Sequence, residues 1–148
     1  MFNWISGSLA LFTLAALGLG GGYFGTKEYY EGHPQTLAQS KELTDTNSIA
    51  SSHKDSLLAI NPKENKLSWK IKEKDFKEKT KNSGSDTPAS TIFKQLKTDL
   101  TSRDEKSLTG DLMKKACEDS YKTSSSASEQ SNISTDMQKY CKVGLIAA

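Results

Sequence analysis

The stretch 2-FNWISGSLALFTLAALGLGGGYFG-25 decides how the rest of the chain is read. It contains no Lys, Arg, Asp, Glu or His, and between Ile5 and Gly25 the only side chains with polar groups are Ser6, Ser8, Thr13 and Tyr23. At about 1.5 Å per residue, a helix of this length matches the ~30 Å hydrocarbon core of a bilayer. The 20 basic and 18 acidic residues all follow Thr26. This division predicts an uncleaved transmembrane anchor over 1–26, a polar, partly disordered stalk over 27–55, and a small helical domain over 56–148. The expected fold class is mostly α, with three to four helices in the C-terminal module.

Other readings of the apolar stretch compete with the anchor. A secretory signal carries a basic n-region and small residues before its cleavage site. Here Phe2-Asn3-Trp4 offers no basic side chain, although Gly18 to Gly22 supply small residues. A lipoprotein signal needs a cysteine just after the apolar core, and the first cysteine is Cys117. The remaining alternative is an apolar helix buried in a soluble fold. Aromatic residues favour the spanning helix: Trp4 stands at one end and Tyr23, Phe24, Tyr29 and Tyr30 at the other, where such rings sit at headgroup level.

Glycine is dense at the far end of the stretch. Gly18 with Gly22, and Gly21 with Gly25, form small-xxx-small pairs that let helices approach closely in lipid. They suit a homo-oligomer, or packing against a larger membrane complex; the plainer reading is a glycine-rich helix end. Gly20, Gly22 and Gly25 also match G-x-G-x-x-G, but no βαβ unit follows, so no nucleotide site is expected.

Hydrophobic residues make up 34% of the 148 residues, and the anchor holds a large share of them. The remainder can bury only a small core. The net charge of +2 gives no case for a nucleic-acid partner. In the segment read as a stalk, apolar residues are scattered at Leu37, Leu43 and Ile49. Leu57-Leu58-Ala59-Ile60 reads as a short helix ended by Asn61-Pro62, because proline disfavours the α region before it.

From Lys63 to Lys81, eight lysines face four acids, Glu64, Glu73, Asp75 and Glu78. Leu67 and Ile71, and Trp69 and Phe76, fall at helical spacings. An exposed Trp69 among these lysines would make a contact for anionic lipid or nucleic acid. The plainer reading is an amphipathic helix whose lysine face is solvated and whose acids support helix pairs. Asn82 to Asp86 is a loop by composition, and Thr87-Pro88 reads as N-cap and first helical residue. Ile92, Leu96 and Leu100, with Phe93, define one apolar face; Leu112, Ala116, Cys117 and Tyr121 a second; Ile133, Met137, Tyr140 and Cys141 a third. Ser120 to Ser134 between the last two reads as a loop.

Cys117 and Cys141 are the two cysteines, and each lies on an apolar helix face. An antiparallel pair of those helices would bring them together. A disulfide closing a loop of about 25 residues would contribute roughly 3–4 kcal/mol by the chain-entropy argument. The alternative is two buried free thiols acting as small hydrophobes. His33 and His53 lack zinc-like spacing, so no metal is expected. No nucleophile elbow, phosphate loop or HExxH pattern occurs, and neither an enzymatic activity nor a cofactor is expected. Asn132-Ile133-Ser134 matches a glycosylation acceptor but is too short a pattern to carry a role.

Taken together, the glycine-rich N-terminus, Asn61-Pro62-Lys63, Leu67-Ser68-Trp69-Lys70, Lys115-Ala116-Cys117-Glu118 and Gln138-Lys139-Tyr140-Cys141 resemble the short paralogous proteins of haemotropic mycoplasmas. The short tail after Cys141 and the polar middle depart from that pattern. The family has no established activity. The resemblance implies a membrane-attached, surface-displayed product in contact with a host or another surface protein. The basic residues flanking the anchor are too few to fix its orientation. The resemblance and the cysteine pair favour an extracellular C-terminal part. The expected function is thus a non-catalytic interaction or antigen-like protein of the cell surface. The alternative is an accessory subunit of a membrane complex.

Overall fold

The computed structural model describes residues 34–81, 86–144 and 146. The apolar stretch, and with it the anchor and its packing glycines Gly18, Gly21, Gly22 and Gly25, lies outside the described residues. Among the described residues no helix is long and apolar enough to cross a membrane.

Five α-helices make up the described fold: α1 Leu37–Ser40, α2 Lys66–Thr80, α3 Thr91–Thr101, α4 Asp111–Tyr121 and α5 Gln130–Tyr140. Single 3-10 turns occupy Ile49–Ser52, Lys63–Asn65 and Glu105–Ser107. The fold class is therefore mostly α, with four helices in the region where three to four are expected. Helix α4 packs against α2, α3 and α5. An aromatic trio closes the core: the Phe76 ring of α2 meets the Tyr140 ring of α5 edge-on at 4.8 Å, and the Phe93 ring of α3 lies 5.4 Å from Tyr140.

Helix α3 buries Leu96 and Leu100 of the expected row together with the neighbouring Phe93, whereas Ile92, the first of that row, is only partly buried. Each such side chain contributes roughly 1.5–3 kcal/mol when removed from water. Its start differs from the expectation at Thr87-Pro88. Ser90 is the N-cap and its hydroxyl accepts from the Phe93 amide, so the helix begins at Thr91. The Asp136 carboxylate of α5 accepts from the amides of Ala89 and Ser90 and from the Ser90 hydroxyl, which fixes the cap there. The expected loop 120–134 is also shorter, because α4 runs to Tyr121 and α5 starts at Gln130.

The segment expected to be a stalk is, from Pro34 onward, part of the compact unit Pro34–Ala148. Leu37, Ile49 and Ala50 are buried in the core. Thr36 and Gln39 cap α1 reciprocally, and Lys41 ends it in the left-handed region at φ 58°. Its composition is polar, but Leu37, Ile49 and Ala50 point inward, Leu43 packs against them at the edge, and its backbone finds distant partners. Ile49 N–H donates to Thr123 C=O, and Ser125 N–H to Asn47 C=O.

Leu57 to Ala59 is extended, not the short helix expected. It lies between two other segments: Leu37 N–H donates to Leu57 C=O and Ala59 N–H to Gln35 C=O on one side. On the other, Leu58 N–H donates to Cys141 C=O and Val143 N–H to Ser56 C=O. These pairings give partners to the Leu57 carbonyl and to the amides of Leu58 and Ala59, all buried, which a one-turn helix could not.

Gly110, the residue before α4, has φ 93°. A Cβ there would meet the Lys70 nitrogen at 2.6 Å and the Trp69 carbonyl carbon at 2.8 Å, both backbone atoms of α2. Gly110→Ala should therefore cost about 2–3 kcal/mol, from left-handed strain plus separation of α4 from α2. A urea midpoint within error of wild type would show that this contact is loose.

Candidate functional site

The disulfide sits at the junction of these elements. Cys117, on α4, and Cys141, just past α5, are joined with their Cα atoms 5.9 Å apart, and both are fully buried. Cys141 C=O receives the Leu58 amide, so the bridge ties α4, α5 and the extended segment into one knot. The Tyr121 hydroxyl, one turn beyond Cys117, donates to Leu58 C=O at 2.7 Å. Burial, and secondarily the charge of Glu42, pushes this phenol well above its ordinary value. Such a hydroxyl is fixed as a donor at neutral pH and is unsuited to acid–base work.

Beside this knot is a cleft of about 320 Å³ lined by Leu37, Glu42, Leu43, Ile60, Tyr121 and Lys122. The Glu42 carboxylate at its wall accepts the amides of Ile60 and Asn61 at 2.7 and 3.0 Å, which closes the end of the extended segment. Both oxygens of that carboxylate are thus committed to the fold.

Trp69 is not an exposed contact. It is 2% exposed, and its indole N–H donates to Ala59 C=O at 3.1 Å. The reason is the face that α2 turns inward: Trp69, Lys72, Glu73, Phe76 and Thr80 are buried, whereas Leu67 is 38% exposed.

Two buried charges on that face are unexpected from sequence. Glu73 accepts from the amides of Gly110 and Met113 at 2.9 and 3.0 Å. It therefore caps the start of α4, whose own N-cap glycine has no side chain to do so. Lys72 donates to Gly144 C=O at 2.6 Å and holds the C-terminal segment against α2. Nothing in a lysine- and glutamate-rich helix marks which charges are buried; the one signal is their place between Trp69 and Phe76 on a single stripe.

Burial lowers the Lys72 ammonium from 10.5 to about 7; Asp75 opposes this, while Lys142 and Lys79 add to it. Between about 7 and 10.5 the unfolded chain binds the proton that the folded chain has released, so stability rises with pH there. We expect a gain of about 2 kcal/mol between pH 7 and pH 9 in denaturant unfolding, absent in Lys72→Met. A flat profile for wild type would remove the buried ammonium from the account. Above about pH 10 the buried tyrosines act in the opposite direction.

The Tyr140 hydroxyl is buried without a hydrogen-bond partner among the described residues. Tyr140→Phe should consequently leave stability unchanged or raise it by up to about 1 kcal/mol. A loss exceeding about 1 kcal/mol in thermal unfolding would mean that the hydroxyl is satisfied.

Among the described residues no group of His, Cys, Asp and Glu side chains could hold a metal ion. The arrangement is one of polar side chains clamping backbone, around a covalent bridge. No protein-family model, curated protein or solved structure matches the chain.

Proposed function

We infer that this is a membrane-anchored, surface-displayed interaction protein without catalytic activity, its N-terminal stretch in the bilayer and its helical unit outside the cell. The observation that carries this reading is the buried Cys117–Cys141 bridge. Disulfides persist in oxidising compartments and are rare where thiol reductants circulate. A small unit of modest apolar content, joined to a stretch long enough to span a bilayer, fits that setting. Nothing favours the accessory-subunit alternative over display.

Brief trypsin treatment of intact cells tests the proposal. Release of peptides from 94–106 and 114–142, while a cytoplasmic control stays whole, is the expected result. Protection of these lysine-rich segments until the cells are lysed would place the unit inside and end this reading.

A further inference from the structure

The outer face of α2 differs from its flanks. Lys66, Lys70 and Lys74 are exposed along it, and Lys63 in the 3-10 turn just before it, outside the buried stripe that contains Trp69 and Phe76. Among them sits Leu67, the one large hydrophobic side chain exposed among the described residues. The flanking lysines have partners: Lys77 donates to the carbonyls of Leu100 and Arg103, Lys79 to that of Ile146, and Lys81 pairs with Glu78. Lys74 lies 3.8 Å from Glu105. Lys63, Lys66 and Lys70 pair with no carboxylate among the described residues.

The chain joins the folded unit beside this face. The unit begins at Pro34, and Gln35 donates its backbone amide to the Asn65 side chain and its Nε2 to Glu64, both at 2.8 Å. From the end of the apolar stretch, the connecting residues 26–33 can extend at most about 29 Å. A bilayer holding that stretch is therefore within tethering distance of the lysines that flank Glu64 and Asn65.

We propose that Lys63, Lys66 and Lys70, around Leu67, dock the folded unit onto anionic headgroups of the bilayer that holds its own N-terminal stretch. This rests on the anchor reading given above. The ammonium groups meet lipid phosphates, each worth roughly fivefold in affinity at an anionic surface. Leu67 enters the headgroup–acyl boundary, where an exposed apolar side chain among lysines is at home. Glu64 opposes the attraction, and the charges of the three lysines exceed its one. The tether makes the contact intramolecular, so a patch too weak to bind alone suffices.

The full chain is reconstituted into phosphatidylcholine vesicles, or into vesicles of equal parts phosphatidylcholine and phosphatidylglycerol. Neither lipid carries a primary amine, so an acetylating N-hydroxysuccinimide ester labels protein amines alone, read by mass spectrometry. In the anionic vesicles Lys63, Lys66 and Lys70 should label at least about threefold less, and the protection should vanish near ~0.5 M salt. Lys94, exposed on α3, should label equally in both. Equal labelling of the three lysines in both, with the chain still resistant to carbonate extraction, overturns the docking and leaves the anchor standing. Extraction by carbonate overturns the anchor, and the proposal with it. Protection by added heparin but not by the anionic bilayer assigns the patch to acidic polymers and likewise overturns it.

Discussion

Replacing Cys141 with serine should lower the stability of the folded unit by about 3–4 kcal/mol, and the melting temperature by on the order of 15 °C. The bridge spans 24 residues and joins α4 to the end of α5, so its loss frees a long loop in the unfolded chain. It also loosens the extended segment, because Leu58 hydrogen-bonds the backbone of Cys141 itself. Cys117→Ser and the double variant should fall to the same level, since each removes the same bond and a serine fills most of the space. Far-UV circular dichroism of the full chain in detergent gives the measurement. Melting of the double variant within about 2 °C of wild type would mean that packing alone holds the knot.

Asp136→Ala is the second large effect, expected at about 3–5 kcal/mol. One carboxylate, 2% exposed, receives the amides of Ala89 and Ser90 and the Ser90 hydroxyl. Its removal leaves buried donors at the start of α3 without acceptors and places nothing against the helix dipole. Asp136→Asn should cost nearly as much, because its amide group turns a donor towards donors. Hydrogen exchange locates the damage: the amides of Ala89 and Ser90 should lose protection before those of α4. A uniform loss across the unit, or none, would show that Asp136 is not the clamp described.

The apolar faces of α3, α4 and α5 were legible in outline because their apolar residues recur at helical spacing, although on α4 the fully buried residue is Met113 and Leu112 is only partly covered. Leu96, Leu100 and the neighbouring Phe93 are buried while Ile92 stays at the edge, and Cys117 and Cys141 meet because each lies at a helix face in the core. Helix α2 was legible as a helix, but its inward face was not. Lys72 and Glu73 are buried because each reaches a backbone group of a distant segment, Gly144 or Gly110, and local sequence holds no trace of such partners. The same limit explains the polar segment after Pro34. Its order comes from Thr123, Ser125 and Leu57, residues far along the chain, while its own composition resembles a linker. The docking face on α2 was half legible. The lysines were plain, but the exposed apolar residue among them is Leu67, not Trp69, because Trp69 turns inward to reach Ala59.

The claim on which localisation and stability both depend is that the bridge exists in the cell. Intact cells are treated with a thiol-blocking maleimide, lysed in denaturant and digested with trypsin without reductant. The expected product is the peptide Ala116–Lys122 covalently linked to Tyr140–Lys142 through the two cysteines. Recovery of both peptides unlinked, each carrying the maleimide, would contradict it.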